Sequence, residues 1–335
     1  MHTQHTILIV SLLALSAMAL SGCSGTTTGP TAPLLPVADR VAPPVERSLA
    51  AAPVYEVGEW WQVRATFEPG IAVEEARIVM AGEREGQWLF GMPEDGFSEF
   101  IAQFHFPPIG PVEKGTLRYE VHMQEFDLLH FPLAEGTTWS TPFAGQTCSV
   151  TVLSASGSTA RLEMGRLTDP CTWHAIVDYD AATGLPTKVV LDDYGSLEVL
   201  DHGFGHKGRV LVPDQHHMEI FEARIGGVLH PVGPEARAPT AVVQLPEGYT
   251  HVTLAILAGA FFVPPTPGEF SAKVTLPDGT VLGQEWTPLE GIGTSFQVQR
   301  LEAQVGPWSI ELVAGGGGAA IVEGLAWKEL VIDLP

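Results

Sequence analysis

Lysine is nearly missing from this chain. Five stand in 335 residues (Lys114, Lys188, Lys207, Lys273 and Lys328), against 39 acidic residues and a formal charge of −22. That balance excludes a nucleic-acid binder, because phosphates demand a basic footprint. It also opposes electrostatic docking on anionic lipid, and it suits solubility, cation-rich surroundings or a cationic partner. Cysteine is almost as scarce, at three residues, too few for a thiolate-rich zinc framework. Common catalytic signatures are missing: there is no Gly-x-Ser-x-Gly elbow, no His-Glu-x-x-His pair and no Gly-Lys-Ser/Thr phosphate loop. The Gly315 to Gly318 run lacks the strand and helix that a phosphate cradle needs and reads as a hairpin loop. No cofactor is implied by any of these features.

What is present begins with an apolar stretch, Ile7 to Leu20, broken only by Ser11 and Ser16. Its length of about 14 residues is too short for a membrane-spanning helix, which takes about 20. A short apolar core followed by small residues is an export signal, set aside before any reasoning about fold. The stretch ends in Leu20-Ser21-Gly22-Cys23. This tetrad resembles the lipobox of prokaryotic lipoproteins, although no Lys or Arg precedes it. The resemblance implies cleavage before Cys23, lipid on its sulfur and a membrane partner held through that lipid. It also implies an extracytoplasmic location, at the cell surface or in the periplasm. The alternative is a plain signal peptide cut nearby, with Cys23 incidental.

With Cys23 given to lipid, Cys148 and Cys171 remain as an even pair. Exported proteins sit where disulfides persist, so a bridge between these two is expected. The alternative, a metal pair, finds no neighbouring ligands at regular spacing.

Residues 23–53 are rich in Thr, Pro, Ala and Gly and read as a flexible tether. Within it, Arg40 to Ala52 has helical character that Pro43 and Pro44 oppose. Order is expected from Val54. Short runs of β-branched and aromatic residues then alternate with Gly, Pro and Asp turns, which predicts an all-β chain. The 36 glycines and 27 prolines agree. A first domain, 54–212, reads as a twisted antiparallel sheet or half-barrel. Its strands are expected at 59–67, 76–80, 87–91, 97–106, 116–124, 149–153, 160–164, 174–179, 187–191 and 196–200. Asp201 to Pro213 reads as a connection, and 213–335 as a β-sandwich. There the Pro277-Asp278-Gly279-Thr280 turn is the clearest hairpin signal.

Two further resemblances concern fold alone. Tyr179-Asp180-Ala181-Ala182-Thr183-Gly184-Leu185-Pro186 resembles the closing hairpin of periplasmic LolA-like curved-sheet proteins, which implies a concave apolar surface for a greasy ligand. Leu276 to Gly279 followed by Gly306 to Leu312 resembles jelly-roll accessory domains of secreted proteins, of the P-domain-like and prepeptidase C-terminal-like kinds, and carries over no active residues.

Three constellations remain as candidate chemistry. His202, His206, His216 and His217, with Asp201 and Asp214, have the donor types of a transition-metal site, against solvated linker histidines. Asp178, Asp180 and Thr183 offer calcium-type oxygens, fewer than the six to eight that such a site takes. Adjacent Trp60 and Trp61 must face opposite sides of their strand. One of them therefore leaves the main core and lines a ligand platform, unless a second layer covers it. The expected function is a lipid-anchored envelope protein with a non-catalytic binding or structural role, serving another envelope protein or a ligand. The alternatives are a carrier of hydrophobic ligands and a metal-dependent hydrolase built on the junction histidines.

Overall fold

The computed structural model describes residues 47–67, 72–104, 108–121, 124–143, 146–165, 171–192, 195–226, 235–237, 240–260, 270–286, 293–315 and 318–335. Cys23 and most of the expected tether lie outside the described residues. The described chain is almost wholly antiparallel β and divides into two compact units. One runs to Val212 and also takes the last residues, Val331–Pro335, and the other covers Pro213–Leu330.

In the first unit the strands are β1 (Trp60–Phe67), β2 (Ala72–Arg84), β3 (Gln87–Pro93), β4 (Gly110–Glu113), β5 (Tyr119–Val121), β6 (Gln124–Phe126) and β7 (Thr138–Phe143). They continue with β8 (Gln146–Ser156), β9 (Thr159–Met164), β10 (Ala175–Asp180), β11 (Pro186–Leu191), β12 (Gly195–Gly203) and the start of β13 (Gly208–Gly226). The sheet order is β13-β3-β2-β1-β12-β11-β10-β9-β8-β7, with β4, β5 and β6 branching from β3. The β4–β5–β6 branch meets the β7 end of this path. The Asp127 N–H after β6 donates to Thr141 Oγ1 of β7 at 2.8 Å, and Trp139 Nε1–H of β7 donates to the Asp127 carbonyl at 2.7 Å. Phe126 also packs on Phe143. The sheet is therefore curled, with an interior of Trp61, Val63, Ile78, Phe90, Val150, Leu162 and Val177. Period-two burial along β10 places Ala175, Val177 and Tyr179 inside.

Three expectations are corrected. The described part of the segment expected as a strand from Phe97 is not one: Glu99–Phe104 is a short helix, α1. Ser98 starts it as an N-cap, its Oγ accepting the Ile101 N–H at 3.1 Å and its carbonyl the Ala102 N–H. The 116–124 segment is cut by a turn at Leu117, which has a positive φ of 60°. Finally, 201–213 is no free linker, because β12 runs to Gly203 and β13 pairs with β3 at Val210 and Leu211.

The second unit contains the later part of β13, β14 (Glu235–Arg237), β15 (Ala241–Leu245), β16 (His251–Ala260), β17 (Phe270–Thr275), β18 (Val281–Trp286), β19 (Gly293–Glu302), β20 (Gly306–Gly315) and all but the last residues of β21 (Gly318–Leu334). Here β16 lies between β19 and β21, while β14 and β15 share one side of β20 in the order β20-β17-β18. Val252, Leu254, Ile256, Val322 and Ala326 of the first sheet pack with Val274, Trp308, Ile310 and Leu312 of the second into one core. That is a β-sandwich. The β17–β18 hairpin turns at Asp278-Gly279, with Gly279 at φ 88°.

Cys148 of β8 is bridged to Cys171, with their Cα atoms 4.9 Å apart. The bridge joins β8 to the segment leading into β10, and closing a loop with a sequence separation of 23 is worth about 3 kcal/mol. Replacing both cysteines by serine is expected to lower the melting temperature of the first unit by roughly 10 °C. An unchanged scanning-calorimetry transition would contradict this.

Candidate functional site

The most enclosed charged group of the first unit is Glu59, immediately before β1, whose side chain has no exposure to water. A buried carboxylate must be met by charge and hydrogen bonds, and Glu59 is met from three directions. Arg47 Nη2 donates to both of its oxygens at 2.7 Å, His202 Nε2 lies 2.8 Å from Oε1, and the Glu56 N–H donates to Oε2 at 3.1 Å. The Arg47 side chain is itself 2% exposed. Its Nε and Nη2 also donate to the Val54 carbonyl at 3.1 and 2.8 Å, and Nη1 donates to the Ala182 carbonyl at 3.4 Å.

Strand register builds the rest. Trp61 and His202 are directly opposed on β1 and β12, so they share a face. Their rings stack at 5.3 Å and 15°. The Trp61 Nε1–H donates to the Thr183 carbonyl at 2.9 Å. Tyr55 meets Trp61, Trp88 and Phe90 edge-on, lies under the Arg47 guanidinium at 5.1 Å, and donates its hydroxyl to the Gly184 carbonyl at 2.7 Å. Burial pushes the Tyr55 phenol well above its ordinary pKa, so it stays neutral at physiological pH. The 180–186 turn must come close here. Gly184 has a φ of 75°, and a Cβ on it would stand 3.0 Å from Tyr55 and 3.1 Å from Arg47.

The two tryptophans do face opposite sides, but neither is an open platform, since Trp60 is 8% exposed and Trp61 fully buried. Trp60 points away from the interior, where the Arg77 guanidinium covers its ring at 4.1 Å. It pairs with Gly203, whose missing side chain leaves room for the ring. A covering layer thus replaces the expected platform.

Among the described residues no group of three or more His, Cys, Asp or Glu side chains is placed to hold a metal. His202 is committed to Glu59 and Trp61. Burial and then the Arg77 charge push the His206 imidazole below its ordinary pKa. His216 and His217 lie on β13, and their side chains fall outside the described residues. The Asp180 and Thr183 oxygens serve their own turn: Asp180 Oδ1 accepts the Ala182 N–H, and Thr183 Oγ1 donates to the Asp180 carbonyl, while the Asp178 carboxylate faces Arg161 at 3.5 Å.

The second unit repeats the motif of the first. Glu329, nearly buried, is bound through both oxygens by Arg300. His251 lies opposite Trp327 on β16 and β21, stacks on it at 6.5 Å and stands 3.6 Å from Glu329. Burial first, and then the Arg300 charge, lower the His251 pKa from 6.5 to about 4. The nearby Glu329 carboxylate does not reverse this, because Arg300 already claims it. Elsewhere His174 sits between Asp192 at 2.6 Å and Glu163 at 3.2 Å. Burial alone would lower its pKa, but those two hydrogen bonds leave it raised.

Arg47, Tyr55 and Glu59 went unmarked in the sequence. The available signal was slight: an arginine inside a Pro/Ala-rich stretch and a glutamate directly before two tryptophans.

No protein-family model and no curated protein matches this chain. Among solved structures it is similar to an exo-β-1,3-galactanase from Phanerochaete chrysosporium holding β-1,3-galactotriose, with 8% identity, a TM-score of 0.20, 76% of this chain and 65% of that chain. For the same enzyme with galactose the values are 10%, 0.20, 79% and 67%. The chain thus spans less than two thirds of the first of these, and a TM-score so low carries no argument about fold or chemistry.

Two predictions follow from the charged centres. Glu59→Gln is expected to destabilise by about 3–5 kcal/mol, because it strands a buried guanidinium. Glu75→Gln, which breaks the half-exposed Arg64–Glu75 pair, is expected to cost under about 1 kcal/mol. Urea titration measures both, and equal effects would refute the contrast. The second concerns pH. His251 holds its proton to about pH 6.5 in the unfolded chain but only to about 4 in the fold. The unfolded state therefore binds more protons between these values, and stability falls as pH drops through that window. His251→Gln is expected to lose less stability than the parent protein from pH 6.5 to 4, and parallel curves of melting temperature against pH would contradict the assignment.

Proposed function

We propose that this chain is an exported lipoprotein, held at the outer side of a membrane by lipid on Cys23, whose two β units have a non-catalytic binding or structural role in the cell envelope. The observation that carries this is the cysteine accounting. Cys148 and Cys171 are joined, so Cys23, at the end of the apolar leader, is the one cysteine left over. A disulfide persists in an oxidising compartment outside the cytoplasm. Among the described residues no helix is long and apolar enough to cross a membrane, and lipid supplies attachment at about 0.8 kcal/mol per buried CH₂. The acidic, lysine-poor surface suits a cationic partner in the envelope and opposes nucleic acid.

The anchor is tested by expressing Cys23→Ser beside the parent with an alkyne-tagged palmitate. The parent is expected to incorporate the label and sediment with membranes, and the variant to do neither. A variant that stays equally membrane-bound would overturn the reading.

A further inference from the structure

We propose that the pocket around Glu59 is a guanidinium-recognition site, which this chain fills with its own Arg47. The proposal stands whether or not Cys23 carries lipid.

The pocket matches the chemistry of a planar, five-donor cation. Glu59 offers both carboxylate oxygens at 2.7 Å, Val54 and Ala182 offer carbonyls to the remaining edges, and the Tyr55 ring offers a π face at 5.1 Å. Gly184 leaves the approach open, since a Cβ there would sit 3.1 Å from Nη1. A lysine ammonium is a point charge with three donors and cannot reproduce this spread of contacts.

The walls and the occupant come from different parts of the chain. Glu59 precedes the first strand and is fixed by the β2 edge, with Met80 N–H donating to the Glu59 carbonyl at 2.8 Å. Ala182 and Gly184 belong to the β10–β11 turn, which is closed by the Gly184 N–H on the Asp180 carbonyl at 3.0 Å. Arg47 enters from upstream of the sheet, on a segment that the Leu133 N–H holds through the Leu49 carbonyl at 2.8 Å. It therefore binds as a tethered ligand. An arginine side chain presented by a basic peptide has the same chemistry, and the chain's charge of −22 favours its approach. Where Arg47 is removed, as in Arg47→Ala, such an arginine takes the place of the tethered one.

Chemical rescue in the full chain tests the assignment. Arg47→Ala is expected to melt roughly 10 °C below the parent. Ethylguanidinium chloride is expected to restore the midpoint saturably, as a ligand that binds only the folded state does. Ethylammonium chloride at equal concentration is expected not to. L-argininamide should give a calorimetric binding isotherm with Arg47→Ala, none with the parent and none with Arg47→Ala combined with Glu59→Gln. If Arg47→Ala does not fold unaided, the yield on refolding from urea with each salt gives the same comparison. A variant as stable as the parent, or equal rescue by the two salts, overturns the proposal.

Discussion

A carboxylate taken wholly out of water, Glu59, is the constraint on which the first unit is built. Stripping the hydration from an ion costs several kcal/mol even after relaxation, so every remaining contact of that group has to be supplied by the protein. Arg47 neutralises it, His202 and the Glu56 amide complete it, and Trp61 holds the His202 ring flat. These partners come from separated parts of the chain. The segment before β1 delivers Arg47, the register of β12 delivers His202, and the turn after β10 supplies the carbonyls of Ala182 and Thr183. One buried charge thus coordinates pieces of chain up to 143 residues apart.

The second unit reaches the same solution with a different topology. There too a buried glutamate is bound by an arginine, beside a histidine that stacks on the tryptophan facing it across a ladder. The difference lies in the histidine's reach: His202 stands 2.8 Å from Glu59, and His251 stands 3.6 Å from Glu329. Arg300 claims Glu329 and burial disfavours the charged imidazole, so His251 stays neutral to about pH 4. In both units the stacking is a consequence of strand pairing, because residues directly opposed on an antiparallel ladder share a face.

Much of the fold was legible because strand periodicity and turn chemistry are local. The alternation from Trp60 to Phe67, the Asp180 to Pro186 loop and the Asp278-Gly279 turn each fix their geometry within a few residues. Where a tertiary or capping effect decided the outcome, the local pattern misled. The apolar content of 97–106 resembles a strand, but the Ser98 cap turns Glu99–Phe104 into a helix. Asp201 to Pro213 is polar and Gly-rich like a linker, yet pairing with β1 and β3 draws it into the sheet. The candidate site was nearly invisible for the same reason. Nothing near Arg47 indicates a partner 12 residues on, and nothing near Glu59 indicates a histidine at 202. Trp60 and Trp61 were correctly read as facing opposite ways, but the cover supplied by Arg77 depends on the neighbouring strand. Pairing of Cys148 with Cys171 was legible once the leader motif had claimed Cys23, which left two of the three cysteines.

An address at the membrane and a self-filled cationic pocket are separate properties of the chain, and the second is the more physical claim. Its core is that Arg47 and Glu59 act as one buried unit. A double-mutant cycle on unfolding free energy, using Arg47→Ala, Glu59→Gln and their combination, measures that directly. The account predicts a coupling of roughly 3 kcal/mol between the two sites. Effects that simply add, to within about 0.5 kcal/mol, would contradict it.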